Sequence, residues 1–125
     1  MPKILIVDDE VHIRLLLQQT FEDLEDEGIE LLTAENGFKA AEIIRKERPE
    51  LVFLDVMMPE MNGYEVCKKV KKEWCLNGIF VIMLTAKGQE FDKKLGMEAG
   101  ADLYMTKPFD PDMIITKTME ILKIN

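Results

Sequence analysis

The sequence predicts an α/β domain, a parallel sheet with helices on both faces. Short β-rich runs alternate with helix-period stretches five times along the chain, as crossover connections between parallel strands require. The first, third and fourth of those runs are almost uninterrupted apolar residues, as expected of strands covered on both sides. The length, 125 residues, suits one domain with a core that needs no disulfide or metal to hold it. No internal repeat, low-complexity stretch or linker divides it, so a single domain over residues 1–125 is expected.

In order, the strands are expected at Lys3–Asp8, Ile29–Ala34, Leu51–Asp55, Ile79–Leu84 and Ala101–Met105. In the first helix, Ile13, Leu16, Leu17, Phe21 and Leu24 keep helical spacing, and Gly28 stands where a left-handed cap would end it. The second helix starts at Asn36, a good N-cap, stacks Ala40, Ala41 and Ile44, and stops before Pro49. The third carries Gly63, Val66, Cys67 and Val70, and the fourth, from about Phe91 to Glu98, is the least regular. The fifth opens with Asp110-Pro111, an N-cap followed by proline at the first helical position, and aligns Ile115, Met119 and Leu122.

Composition excludes several classes. The net charge is −8, from 24 acids and 16 bases, which argues against nucleic-acid binding by this domain alone, since phosphates need a basic face. No apolar run approaches the roughly 20 residues that span a bilayer, and the short apolar start turns acidic too soon for a signal peptide. A cytoplasmic location is the expectation. Cys67 and Cys75 match no zinc or redox spacing and read as free thiols in or near a helix.

The chemistry gathers at strand ends. Asp8 and Asp9 end the first strand, Asp55 the third, Thr85 follows the fourth and Lys107 the fifth. Ligands of open α/β sheets bind beyond the carboxyl ends of the strands. One aspartate there is more often a helix cap, and Asp9 alone could cap the first helix. Four strand ends delivering polar groups to one rim make capping a poor account. Three carboxylates sharing a rim repel one another unless a cation intervenes, and Lys107 balances only part of their charge. A hard divalent ion with oxygen ligands complements them, Mg²⁺ better than Ca²⁺, because it commonly uses one or two carboxylates, waters and a phosphate. A carboxylate facing such an ion, with an ammonium and a hydroxyl nearby, is equipped to accept a phosphoryl group.

The segments ILIVDDE (4–10), TAENG (33–37), LVFLDVMMPEMNGYEV (51–66), VIMLTAKG (81–88) and EAGADLYMTKPF (98–109) together resemble the response-regulator receiver domains of bacterial two-component signalling. The likeness covers essentially the whole chain. It implies a flavodoxin-like fold with five parallel strands in the order 2-1-3-4-5 and five helices. It implies that Asp55 is the phosphoacceptor, and that Asp9, Asp55 and the Met57 backbone carbonyl bind Mg²⁺, with Asp8 completing the acidic pocket. Thr85 and Lys107 would contact the phosphoryl group. Tyr104 would be an aromatic switch, although by itself it reads as a surface aromatic. Pro108 would follow a cis bond, although Lys107-Pro108 alone reads as a turn. The implied partners are a sensor histidine kinase and an effector meeting the fourth helix, fifth strand and fifth helix. Only self-phosphorylation and slow self-dephosphorylation are expected as chemistry, because Met57 and Lys87 offer no group that readily orients an attacking water.

Some residues depart from the family pattern. Glu60 stands where Gly is common and Asn62 where Asp is common. Leu103 and Met119 replace an acid and an arginine frequent in the transcription-factor subgroup that pairs through charges on this face, which runs against pairing of that type. Two other functions compete. Phosphohydrolases resembling the haloacid dehalogenases need a second acid two residues after the nucleophile, where this chain has Met57. A flavin carrier needs a phosphate-binding loop after the first strand, where this chain reads DDEVH.

Overall fold

The computed structural model describes residues 2–26, 28–86, 93–107 and 110–123. Five strands, β1 (Lys3–Val7), β2 (Glu30–Ala34), β3 (Leu51–Asp55), β4 (Phe80–Thr85) and β5 (Leu103–Thr106), form one sheet. All pairings are parallel and the order is β2-β1-β3-β4-β5, as expected. Five helices alternate with them: α1 (Val11–Thr20), α2 (Gly37–Glu47), α3 (Gly63–Lys68), α4 (Lys93–Ala99) and α5 (Pro111–Leu122).

The strands bury both faces by simple alternation. Leu5, Val7, Val52, Leu54, Val81 and Met83 point to the side covered by α2, α3 and α4. Ile4, Ile6, Leu51, Phe53, Ile82 and Leu84 point to the other side, against α1 and α5. Each fully buried side chain of this size stabilises the fold by roughly 1.5–3 kcal/mol relative to exposure, so the two layers hold the sheet between them. The chain leaves β1 toward one face and β3 toward the other. That reversal opens a crevice at their carboxyl ends.

Local signals explain most boundaries. The Asn36 side chain accepts from the Lys39 N–H at the start of α2. Asp110 caps α5 by accepting from the Asp112 N–H, with Pro111 next. Asn62 and Glu65 form a reciprocal capping box at the start of α3. This gives Asn62 a structural reason in place of the Asp common there. The fourth helix is described only from Lys93, so its expected start near Phe91 lies outside the described residues.

Four expectations are corrected. α1 ends at Thr20, and a separate helical turn, Glu22–Glu25, follows it. Gly28, at φ 91°, therefore ends that turn and not α1. α3 widens into a π-helical turn over Lys69–Glu73, with the Trp74 N–H bonded to the Lys69 carbonyl. There the Lys71 ammonium reaches the Ile79 carbonyl and the Asp102 carboxylate. β5 starts later than expected, because Asp102 accepts the Val81 N–H with its side chain. In α5 the buried positions are Ile114 and Thr118, while Ile115, Met119 and Leu122 are only partly buried. Both cysteines are free, Cys67 buried and Cys75 exposed.

Glu60 adopts φ 68°, a left-handed conformation that costs a side-chain-bearing residue about 1–2 kcal/mol. Glycine would remove that strain and lose about 0.4–1 kcal/mol through a freer unfolded chain. Glu60→Gly should therefore raise stability by about 0.5–1 kcal/mol in urea titrations. An unchanged or lower midpoint at equal slope would show that the strain is absorbed elsewhere.

Candidate functional site

The expected polar residues meet at the crevice. Asp8 immediately follows β1, Asp55 and Thr85 are the last residues of β3 and β4, and Lys107 immediately follows β5. All four are withdrawn from solvent: Asp8 is 0%, Thr85 2%, Asp55 4% and Lys107 8% exposed. Asp9 is exposed at the rim. The Lys107 ammonium lies 2.7 Å from Asp8 Oδ2 and 3.4 Å from Asp55 Oδ1, so one buried cation serves two buried carboxylates.

Backbone geometry locks Asp55 in place. Its Oδ1 accepts the Met57 N–H at 3.3 Å, and the next residue, Val56, donates its N–H to the Leu84 carbonyl. Gly63 passes so close that a Cβ there would lie 2.4 Å from the Asp55 carbonyl oxygen. No side chain fits at that position, which accounts for a glycine at the start of α3. Asp8 is held from three directions. Its Oδ1 accepts the Glu10 N–H, its carbonyl accepts from Arg14, and its Oδ2 takes Lys107. Neither Asp9 nor Glu10 caps α1: Glu10 occupies the N-cap position, and no side-chain bond caps the helix. The capping account of Asp9 therefore fails.

Electrostatics follow from that inventory. Burial pushes the Asp55 carboxyl up to about 7, and the Asp8 charge adds to the rise. Lys107 pulls it down, while a hydrogen bond with Asp9 and the Asp9 charge push it up again. Burial alone would lower Lys107, but the Asp8 hydrogen bond and the Asp55 charge outweigh it and hold the ammonium above its ordinary range. The pocket thus has a deficit of positive charge at its floor.

The donor set fits a hard cation. Asp8, Asp9 and Glu10 bring carboxylate oxygens within 4.8 Å of one another, and Asp55 touches both Asp8's lysine and Asp9. Oxygen-only ligands beside an uncompensated buried acid suit Mg²⁺ chemistry. Glu10 is the candidate that sequence reasoning missed. Its position directly after the acidic pair was the available signal, and its oxygen also pairs with the exposed His12 at 3.0 Å.

The remaining expected residues lie around the pocket. The Thr85 hydroxyl donates to the Met105 carbonyl at 3.4 Å, away from Asp55. Its carbonyl accepts the Lys107 N–H. Tyr104 lies in β5 with its ring substantially exposed. Met57 stands exposed beside Asp55, while Met58 and Met61 are buried in the core. Met105 and Ile114 are buried too. Pro108, Lys87 and Phe109 lie outside the described residues.

Comparison with known proteins places this geometry. Residues 4–119 match the family model described as response regulator receiver domain. The chain is 46% identical over 121 residues to the alkaline phosphatase synthesis transcriptional regulatory protein PhoP of Bacillus subtilis, covering 97% of this chain and 48% of that protein. It therefore spans about half the length of the curated relatives it matches. A putative response regulator from Chloroflexus aurantiacus superposes with a TM-score of 0.83 at 34% identity, covering 98% of this chain and 99% of that one. The Saccharomyces cerevisiae receiver domain of Ssk1, solved with the histidine phosphotransfer signaling protein Ypd1, superposes at 0.80 with 26% identity, covering 95% and 87% of the two chains.

The raised Asp55 carboxyl sets the pH dependence of the ion-free fold. Between its ordinary value of 3.8 and about 7, the folded state keeps a proton that the unfolded state releases. Its stabilisation is complete below about pH 4 and lost as pH rises through about 7. In chelator, the wild type should lose melting temperature across that window. Asp55→Asn should flatten this component and melt higher at pH 8. Equal melting temperatures at pH 8 would show that the buried charge is compensated.

Proposed function

This chain belongs to the response regulator receiver domain family, and from that premise we propose that Asp55 is its phosphoacceptor, working in a Mg²⁺-dependent pocket. As a receiver it is a phosphoacceptor signalling domain of two-component systems. The observation that carries the residue assignment is the buried Asp55 carboxylate, close to the single Lys107 ammonium and beside two further acids. Asp8, Asp9, Asp55 and the Met57 carbonyl would hold the ion. When bound, Mg²⁺ neutralises the excess carboxylate charge and stabilises the oxygens of the arriving phosphoryl group.

The chain's own groups do the rest. Asp55, deprotonated, forms the new O–P bond as the donor's P–N bond breaks and the imidazole nitrogen leaves with that electron pair. Lys107, already 3.4 Å from Asp55, lies where it can pair with an equatorial phosphoryl oxygen. Thr85, whose hydroxyl rests on Met105, can turn to donate to another. Tyr104 then fills the space vacated behind the β4 end. Two packed arrangements and a charge that only one of them satisfies make a switch. The surface it remodels carries exposed Met97 on α4, Tyr104 on β5 and Met113 on α5, and the effector partner meets it there.

The phosphodonor, a sensor histidine kinase or phosphotransfer protein, reaches the pocket over α1. Val11 and Leu15, one helical turn apart and both exposed, start directly after Asp9 and Glu10 and give it an apolar foothold. Such a kinase exchange places the chain in the cytoplasm. No described helix is long and apolar enough to cross a membrane.

Asp55→Asn should abolish uptake from a small phosphodonor, and chelation should block the wild type, both read by intact mass. Undiminished labelling of Asp55→Asn would sink the assignment. Leu15→Glu should slow transfer from a phosphorylated kinase by at least about tenfold while leaving uptake from the small donor unchanged. For the switch, beryllofluoride should move the Tyr104 ring signals in NMR spectra. A ring unmoved while a partner still discriminates the two states would place the signal elsewhere.

A further inference from the structure

A second concave surface lies apart from the phosphoryl pocket. α2 and α3, with the π-helical turn that extends α3, enclose an open trough of about 620 Å³. Its apolar lining includes Phe38, Met61 and Trp74, and its charged lining is Arg45, Lys46 and Lys69 against one acid, Glu42. Phe38 is 54% exposed although it stands in the first turn of a regular helix. Even with Glu73 beside Lys69, cations outnumber acids here, a local reversal in a chain whose net charge is −8. The Arg45 guanidinium is stacked over the Trp74 ring at 5.2 Å, so one cation and one apolar plate are already held together.

The bland account covers part of this. Arg45 and Lys46 occupy the last turn of α2, where cations favour the helix dipole. It does not explain an exposed phenylalanine facing the same trough; Lys69, on the opposite wall, also lies 3.8 Å from the Glu73 carboxylate one turn along its own segment. An acid-rich partner would be repelled by most of this chain's surface and attracted here, which fixes where it binds.

The shape narrows the partner. The trough is open along its length, whereas small-molecule sites bury most of their ligand. Its walls are helices whose central backbone groups are already bonded, so an added strand would find no ladder to join. α2, with eleven residues, is about 16 Å long, which matches three turns of a partner helix. We propose that this trough docks an acidic amphipathic helix of a partner protein, aliphatic side chains against Phe38 and Trp74 and flanking carboxylates paired with Arg45, Lys46 and Lys69. The site is distinct from α1 beside Asp55 and from the β5 face, and it does not depend on phosphoryl chemistry. Its lining residue Met61 nevertheless belongs to the loop that runs from Asp55 to α3, and the Met61 carbonyl packs against Gly37 of α2.

Trp74 is the chain's single tryptophan, so its emission reports the trough directly. The probe is a synthetic peptide of about 18 residues, about five helical turns, with leucines on one face and glutamates on the other. A twin carries lysines in place of the glutamates. Titration of the acidic peptide into the 125-residue chain should give a saturable change in Trp74 emission, and the basic twin none. The double variant Arg45→Glu with Lys69→Glu should weaken the acidic peptide at least about tenfold and gain affinity for the basic twin. Lys46→Glu with Lys69→Glu leaves the Arg45–Trp74 stack intact and gives the same test should the first variant not fold. Phe38→Ala should weaken binding at an unchanged melting temperature. The proposal is overturned if no saturable change occurs, if the charge-reversed chain binds the acidic peptide as tightly as wild type, or if both peptides bind alike. It is also overturned if a fluorescent nucleotide binds tighter than the peptide and displaces it. A Trp74 emission that shifts on dilution of the protein alone would assign the trough to a second copy of the chain, which equally overturns it.

Discussion

Two buried carboxylates, Asp8 and Asp55, share one ammonium, that of Lys107, and the rest of the molecule is organised around that shortage of charge. Left in water, each acid would ionise independently. In the crevice, burial and mutual repulsion hold the Asp55 carboxyl near neutrality. The pocket is therefore receptive to added positive charge, and the undercompensated acids are the feature that a divalent ion would use under the proposed function. The same groups that destabilise the ion-free fold define its chemistry, as functional sites commonly do.

The sheet makes that strain tolerable. Its inner strands, β1 and β3, bury side chains on both faces, and they end together at the crevice. Asp55 is fixed by the Met57 N–H on its carboxylate, by the Val56 N–H on the Leu84 carbonyl and by the close passage of Gly63. The positions proposed to move in signalling lie on the neighbouring strands. Thr85 ends β4 and Tyr104 lies in β5, and the Thr85 hydroxyl makes a long hydrogen bond to the Met105 carbonyl. A rigid acceptor beside a loosely held hydroxyl is a workable division between chemistry and switching.

Around this core the surface divides by charge and hydrophobicity. Exposed apolar residues on α1 border the pocket, others flank β5, and the α2–α3 trough combines aromatic plates with cations. Each lies on different elements. The proposed partners would therefore not compete for the same side chains.

Much of this was legible in the sequence, because periodicity reports burial and strand ends report position. The alternation of periods predicted a parallel sheet, and polar residues ending apolar strands predicted one shared rim; Asn36, Asp110 and Pro111 marked helix starts through local chemistry alone. What local pattern could not supply was decided by contacts between distant segments. The π-turn after α3 accompanies Lys71 reaching Asp102, and the late start of β5 follows from Asp102 taking the Val81 amide. Met105 and Ile114 are buried because neighbouring strands and helices cover them. The pairing of Lys107 with Asp8, 99 positions away, and the shared lining of one trough by Phe38 and Trp74 exist only in three dimensions. Sequence spacing encodes which face a residue occupies, whereas packing alone determines which residue lies opposite.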